Sequence, residues 1–220
     1  MVEATIKVPN LVRCLEQSLR SREDTWDDKS LHISDLAAGI GEGCLRGVWL
    51  RLRGADKQPP TMGKLLMFDH GRAIHKRLVE YITPHLTGGW KLRAVEGAVA
   101  LPGYPINGRF DYLLVSGEHT IVTDFKTSRG RAFSYLERAK PSHVIQVQGY
   151  MMGVDADGGL IFYVDREGQN ACKQFYVERN DDEVKEAIER VCDACKSETP
   201  PPILEPQLKV AKNKGPDSVK

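Results

Sequence analysis

The sequence predicts an α/β protein with a mixed central sheet of about five strands flanked by helices. Three observations predict it. Segments of helical and strand texture follow one another in the order helices, three strands, helices, two strands, helix. Two of the strand runs, INGRFDYLLV and HTIVTDFKT, are joined by the short glycine-containing link SGE, which is a hairpin signal. The long stretch MGKLLMFDHGRAIHKRLVEYITPHL carries apolar residues at helical spacing.

The elements follow in order. Residues 1–30 are a polar, mixed leader in which LVRCLEQSLR reads as a short helix and SREDTWDDKS as a linker. From residue 31, LHISDLAAGIGEGCLRGVWLRLRG reads as a helix capped by Ser34, with Gly39, Gly41 and Gly43 weakening it. The helix after residue 61 presents Leu65, Leu66, Phe68, Ile74, Leu78, Val79 and Ile82 as an inward stripe, and Pro84 ends it. WKLRAVEGAVALPG is the first strand, and the hairpin supplies the next two. AFSYLERAK and SHVIQVQGYMMGV are helices parted by Pro141, GLIFYVDRE and ACKQFYVER are strands, and DDEVKEAIERVCDACKS is a capped helix. The core thus runs over 31–196. Residues 197–220, rich in Pro and Lys and without periodicity, form an extended or disordered tail.

At 220 residues the chain suits one domain with appended pieces. Its net charge of +1 excludes a global basic field, so any polyanion must be met by a local basic surface. No stretch has the apolar length of a membrane span, and MVEATIKVPNLVRCLEQ lacks the pattern of a cleaved leader, so a cytoplasmic protein with no membrane partner is expected. Five cysteines, an odd number in a chain of this size, point to reduced thiols or a metal cluster rather than a disulfide framework.

The hairpin places charge inside apolar strands. Asp111 follows Gly108-Arg109-Phe110, and Asp124-Phe125-Lys126 follows Ile121-Val122-Thr123. Residues two apart on a strand share a face, so Asp124 and Lys126 point the same way. With strand 105–115 paired to strand 119–127, Asp111 comes near Asp124. Carboxylates buried there are costly unless they pair or hold a metal. Hard oxygen ligands suit Mg²⁺ or Mn²⁺, and a neighbouring lysine can orient a water or neutralise developing charge. The spacing alone is equally that of a cross-strand Asp–Lys pair on a surface hairpin.

Four motifs in order extend the pattern. S-D-L…G-C-L-R-G-V-W-L-R-L-R-G, G-R-A-I-H (Gly71 to His75), G-R-F-D with D-F-K-T thirteen residues after its aspartate, and Q-V-Q-G-Y (Gln146 to Tyr150) together resemble the RecB-like, CRISPR-associated-exonuclease-like branch of the PD-(D/E)XK nucleases, which includes phage-type exonucleases, over residues 31 to about 195. The resemblance implies a restriction-endonuclease-like core and a divalent-metal-dependent deoxyribonuclease that leaves 5′-phosphate ends. It implies that His75, Asp111, Asp124 and the carbonyl of Phe125 hold Mg²⁺ or Mn²⁺, that Lys126 is catalytic, and that Gln146 and Tyr150 contact DNA or position the site. Glu96, in the strand before the hairpin, is a further acidic candidate or a solvated strand charge. Arg129 and Arg131 after the lysine strand, with Arg46, Arg51, Arg53, Arg138 and Lys140, are candidates for a phosphate-binding rim or ordinary solvated charges.

Part of the family carries an iron–sulfur cluster on four cysteines, one in the opening helix and three near the C-terminal end. Cys44, Cys192 and Cys195 match three positions, but no cysteine follows Cys195, and Cys172 lies in a strand before the pair. Ordinary helix cysteines are therefore the preferred reading over a cluster. The expected activity is an exonuclease on single- or double-stranded DNA ends, serving recombination, repair or phage DNA metabolism, alone, as a homo-oligomer or with a recombination partner protein. A structure-specific or nicking endonuclease and a non-catalytic DNA-binding module are the alternatives.

Overall fold

The computed structural model describes residues 10–21, 29–56, 58–168 and 171–202. The first helix is α1 (Leu11–Ser21). A mixed sheet of six strands forms the centre, one more than expected. The extra strand is β1 (Leu31–His32), at the start of the segment read as helical. That segment does not form one helix. It continues as a 3-10 turn at Ile33–Asp35, then α2 (Leu36–Gly39) and α3 (Leu45–Leu52). Ser34 lies inside the turn and caps nothing; Asp35 Oδ2 instead accepts the His32 backbone N–H at 2.8 Å. The break falls where the three glycines stand, with Gly41 at φ +79°.

One long helix and two strands lie between α3 and the hairpin's second arm. α4 (Met62–Ile82) starts on Thr61, whose side chain accepts from Lys64 N. β2 (Lys91–Ala100) then runs antiparallel along the whole of one edge of β3 (Ile106–Ser116). The other edge of β3 is divided. β4 (His119–Ser128) pairs with Tyr112 to Ser116, and β1 pairs in parallel with Ile106 and Asn107. Residues 108–111 are left without a strand partner on that side, so their backbone and that of the facing part of β4 must find other ligands.

α5 (Gly130–Ser134) is shorter than the expected helix over AFSYLERAK. Lys173 Nζ collects the carbonyls of Phe133, Ser134 and Leu136 at 2.9–3.3 Å, which ends the helix early. α6 (Pro141–Val154) begins on a proline suited to its first turn and stops at Asp155, φ +53°. β5 (Gly158–Asp165) lies parallel to β4, β6 (Cys172–Glu178) antiparallel to β5, and α7 (Asp181–Lys196) closes the described core. Asn180 caps α7, and three acids in its first turn complement the helix dipole.

The sheet separates two apolar layers. On one face Val122, Ile161, Val147, Met151 and Ile188 belong to a large core under α2, α6 and α7. On the other, Tyr112, Leu114 and Phe125 meet Leu78, Val79 and Ile82 of α4. The expected stripe of α4 holds for those three and for buried Leu65, but Phe68 is 46% exposed. Its half of the helix passes beyond the small core and instead lines the cleft described below.

Three arginines expected at a phosphate rim serve the fold. Arg51 donates to Ser30 O and pairs with Asp35. Arg46 donates to Pro201 O, and Arg53, stacked on Trp49, donates to the carbonyls of Cys195 and Ser197. The segment after α7 is thereby bound to α3 as far as Pro201. Most of the expected linker and the tail from residue 203 fall outside the described residues. Among the described residues no helix is long and apolar enough to cross a membrane.

Candidate active site

The last paired residues of β3 and β4 are Tyr112 and Thr123, and the next positions are Asp111 and Asp124. The strands part at these two acids. The Phe125 N–H, freed from the ladder, donates to Asp111 Oδ2 at 2.7 Å. Strand alternation sends Phe125 into the small core and turns Asp124 and Lys126 to the α6 face. Lys126 Nζ lies 2.8 Å from Asp124 Oδ2 and donates to Gln146 Oε1 at 2.8 Å. Gln146 Nε2 in turn donates to the Tyr150 hydroxyl at 2.8 Å. One turn of α6 thus fixes the lysine. From the opposite face, His75 of α4 reaches Asp111, Nδ1 to Oδ2 3.5 Å, with its ring edge-on to Phe125. The sequence-predicted quartet of His75, Asp111, Asp124 and Lys126 converges at this fork.

Burial pushes the Asp124 carboxyl up to about 6, opposed by the Lys126 charge, reinforced by Asp111 and opposed again by His75. Burial also raises the Tyr150 hydroxyl, so it remains protonated under Gln146. The His143 imidazole is lowered to about 3 by burial and by the charges of Lys126 and Lys140, and is neutral at pH 7.

The donor set fits a divalent ion. Asp124 Oδ2 is fully buried against the Lys126 ammonium at 2.8 Å. A buried carboxylate next to a second carboxylate and a main-chain carbonyl is what a hard cation requires. Among the described residues, however, no three His, Cys, Asp or Glu side chains already close round one point. The acids form a pair, with His75 held against Asp111 rather than drawn up as a third arm.

Glu96 belongs to the same neighbourhood. It stands opposite Asp111 across the β2–β3 ladder, at the one pair the ladder skips, and has φ +52°. A non-glycine residue in that conformation costs about 1–3 kcal/mol and clusters at functional sites. Its carboxylate is 3.0 Å from Arg109 Nε. Gly97 follows it because a Cβ there would lie 2.1 Å from the Phe110 ring.

A cleft of about 580 Å³ opens over the site and reaches from Phe68 and Arg72 on α4 past Lys126 to Lys140, His143 and Arg166. Arg129 and Arg131 are exposed at the start of α5 and do not line it. Arg109, His143 and Arg166 do, and sequence reasoning missed them; the only available signal was position, two residues before Asp111 for Arg109 and one helical turn before Gln146 for His143. The cysteines stand apart. Cys44 is exposed and its Sγ caps α3 through Gly47 N, while Cys192 and Cys195 pack on the large core, where burial raises both thiols. This arrangement does not support the iron–sulfur reading.

Two carboxylates and a lysine held between an acid and a glutamine thus face a cleft lined by cations. Residues 23–206 match the PD-(D/E)XK nuclease superfamily, and the chain belongs to it. It is therefore a nuclease acting on DNA, in a superfamily that works with divalent metal. Among solved structures it is similar to a phage-related exonuclease from Haemophilus somnus 129PT, at 17% identity and a TM-score of 0.55 over 74% of this chain and 90% of that one. It is also similar to the alkaline exonuclease LHK-Exo from Laribacter hongkongensis, at 16% identity and a TM-score of 0.51 over 81% and 89%. The dAMP complex of LHK-Exo aligns at 14% identity and a TM-score of 0.52 over 75% and 85%. No curated protein matches the chain by sequence.

Proposed function

We propose that the protein is an exonuclease that uses Mg²⁺ or Mn²⁺ to hydrolyse DNA from its ends and leaves 5′-phosphates. The observation that carries the reading is the fork of β3 and β4, where Asp111, the buried Asp124 and Lys126 meet. Asp111, Asp124 and the Phe125 carbonyl would hold the ion, with His75 beside Asp111 as the imidazole ligand. Bound there, the ion supplies Lewis-acid polarisation of the scissile phosphate. Lys126 orients the attacking water and neutralises charge growing on the phosphate oxygens. Gln146 keeps the ammonium aimed, and Tyr150 supports Gln146 from the core side. Glu96 holds Arg109 at the cleft mouth. Arg129 and Arg131 extend the basic surface outside the cleft.

End processing is favoured over internal cutting by the exonuclease neighbours, one of which holds a mononucleotide. The unpaired thiols suit the cytoplasm. The test compares end-labelled linear DNA with covalently closed circular DNA, in Mg²⁺, Mn²⁺ and chelator, for the wild type, Asp124→Asn and Lys126→Ala. Release of labelled mononucleotides from linear DNA only is expected. Relaxation of the closed circle would replace the reading with a nicking endonuclease, and metal-independent binding without cleavage would replace it with a binding module.

A further inference from the structure

The cleft continues past Lys126, and its far wall carries cations that the chemistry above leaves unused. Lys140 is the N-cap of α6, and Arg166 follows the end of β5. Both line the cleft with Thr127 and His143. The wall is held in place. The Tyr163 hydroxyl, on a side chain 1% exposed, accepts the Lys140 backbone N–H at 3.1 Å and lies 2.7 Å from His143 Nδ1. Neither the Lys140 ammonium nor the Arg166 guanidinium has an ion pair with a described residue. Of the acids flanking Arg166, Asp165 Oδ1 accepts from Glu167 N, and the Glu167 carboxylate lies over Gly130.

Arg166 is also shared with a second groove. That groove, about 250 Å³ on the outer side of α4, is lined by His70, Arg77 and Arg166. Arg77 donates to the Tyr81 hydroxyl at 3.3 Å. The cations therefore form a path from the carboxylates, past Lys126 and Lys140, through Arg166 and out over α4. Cations collected along a path repel one another, and a polyanion relieves that repulsion. Asp111, Lys126, Lys140 and Arg166 line one cleft, so a chain of phosphates with one group at Asp111 can lay the next along this wall.

We infer that Lys140 and Arg166 clamp the backbone phosphate that flanks the scissile one, and that Arg166 directs the strand into the groove beside Arg77. The inference rests on the deoxyribonuclease reading and adds to it the route of the strand. Two cations at one phosphate fix its register relative to the site, which a single rim charge does not.

The test uses end-labelled oligonucleotides in which one linkage at a time is a methylphosphonate, which removes the charge of a single phosphate. With the full-length wild type in Mn²⁺, the single-turnover rate should fall about tenfold when the neutral linkage is next to the scissile bond on one side, and little when it lies on the other. Lys140→Gln and Arg166→Gln should each lower the rate on unmodified DNA about tenfold, keep the wild-type melting temperature, and lose the sensitivity at that one linkage; Lys140→Arg should restore it. Variants that retain the wild-type position dependence, or that cleave unmodified DNA at the wild-type rate, overturn the clamp. Anisotropy of the same oligonucleotides in chelator reads the clamp without cleavage. A wild type that cleaves nothing but shows the linkage-specific binding loss therefore overturns the nuclease chemistry and supports the clamp, while uniform binding across all linkages overturns the clamp alone.

Discussion

Asp35 and Asp124 each sit beside one cation inside the same chain, and they differ in what is left open. Asp35 Oδ2 accepts from the His32 backbone at 2.8 Å and from Arg51 at 2.5 Å, and Arg51 is further tied to Ser30 O at 2.7 Å. Asp124 Oδ2 has an ammonium at 2.8 Å but no backbone donor such as Asp35 has, and its carboxyl is raised to about 6 by burial. The first pair closes its acceptors and joins β1, the turn and α3. The second keeps a carboxylate in a state that its surroundings disfavour and that a dication relieves. The same residue types serve the fold in one place and chemistry in the other, and satisfaction of the oxygens tells them apart.

The comparison breaks most sharply at Asp124. Asp124→Asn should lower metal-dependent cleavage by about 10²–10³-fold or more, since it removes a ligand and the partner of Lys126. In chelator at pH 8 the same variant should melt higher than the wild type, because it no longer holds a disfavoured charge. A lower melting temperature would mean that Asp124 is a structural acid like Asp35. Arg51→Ala should do the reverse. It should cost up to about 3 kcal/mol in urea unfolding by leaving Asp35 without its cation, with cleavage per folded molecule unchanged.

Gln146→Ala sharpens the point, because it leaves Lys126 charged but unaimed. About a tenfold loss in single-turnover rate is expected, from the loss of one hydrogen bond to a charged group. Titration gives a further handle. The Asp124 carboxyl is raised in the folded chain from 3.8 to about 6, so the folded state binds more protons between those values, and its contribution to metal-free stability declines as pH rises through them. His143 acts oppositely: lowered from 6.5 to about 3, it binds its proton more readily when unfolded, and its contribution is lost as pH falls below 6.5. Because metal competes with the Asp124 proton, the rise in melting temperature on adding Mn²⁺ should be larger at pH 7 than at pH 5. An equal rise at both would detach metal binding from this carboxylate. The smallest effect is expected at Cys44→Ser, where a hydroxyl can replace the thiol as helix cap and the melting temperature should hardly move.

The site was more legible than its walls. Period-two alternation and the short turn place Asp111 opposite Asp124 and Lys126 beside it, and helical spacing puts Gln146 one turn from Tyr150, so local rules suffice for the centre. The parting of the strands was not legible. It depends on β1, two residues long and distant in sequence, occupying the lower part of the β3 edge. Nor was the identity of the cleft cations. Arg129 and Arg166 look alike in sequence, and only the early stop of α5 and the end of β5 decide that Arg166 lines the cleft. Arg46, Arg51 and Arg53 cluster as a phosphate rim would, yet they spend their donors on carbonyls of the chain itself and on Asp35.

Gly97 has no acid, base or ligand to offer, yet the space its side chain would need belongs to Phe110, the residue joined to Asp111. In a library of random variants selected for DNA cleavage, this silent position should be depleted as strongly as the acids. A tolerance map read for chemistry alone would count one catalytic residue too many.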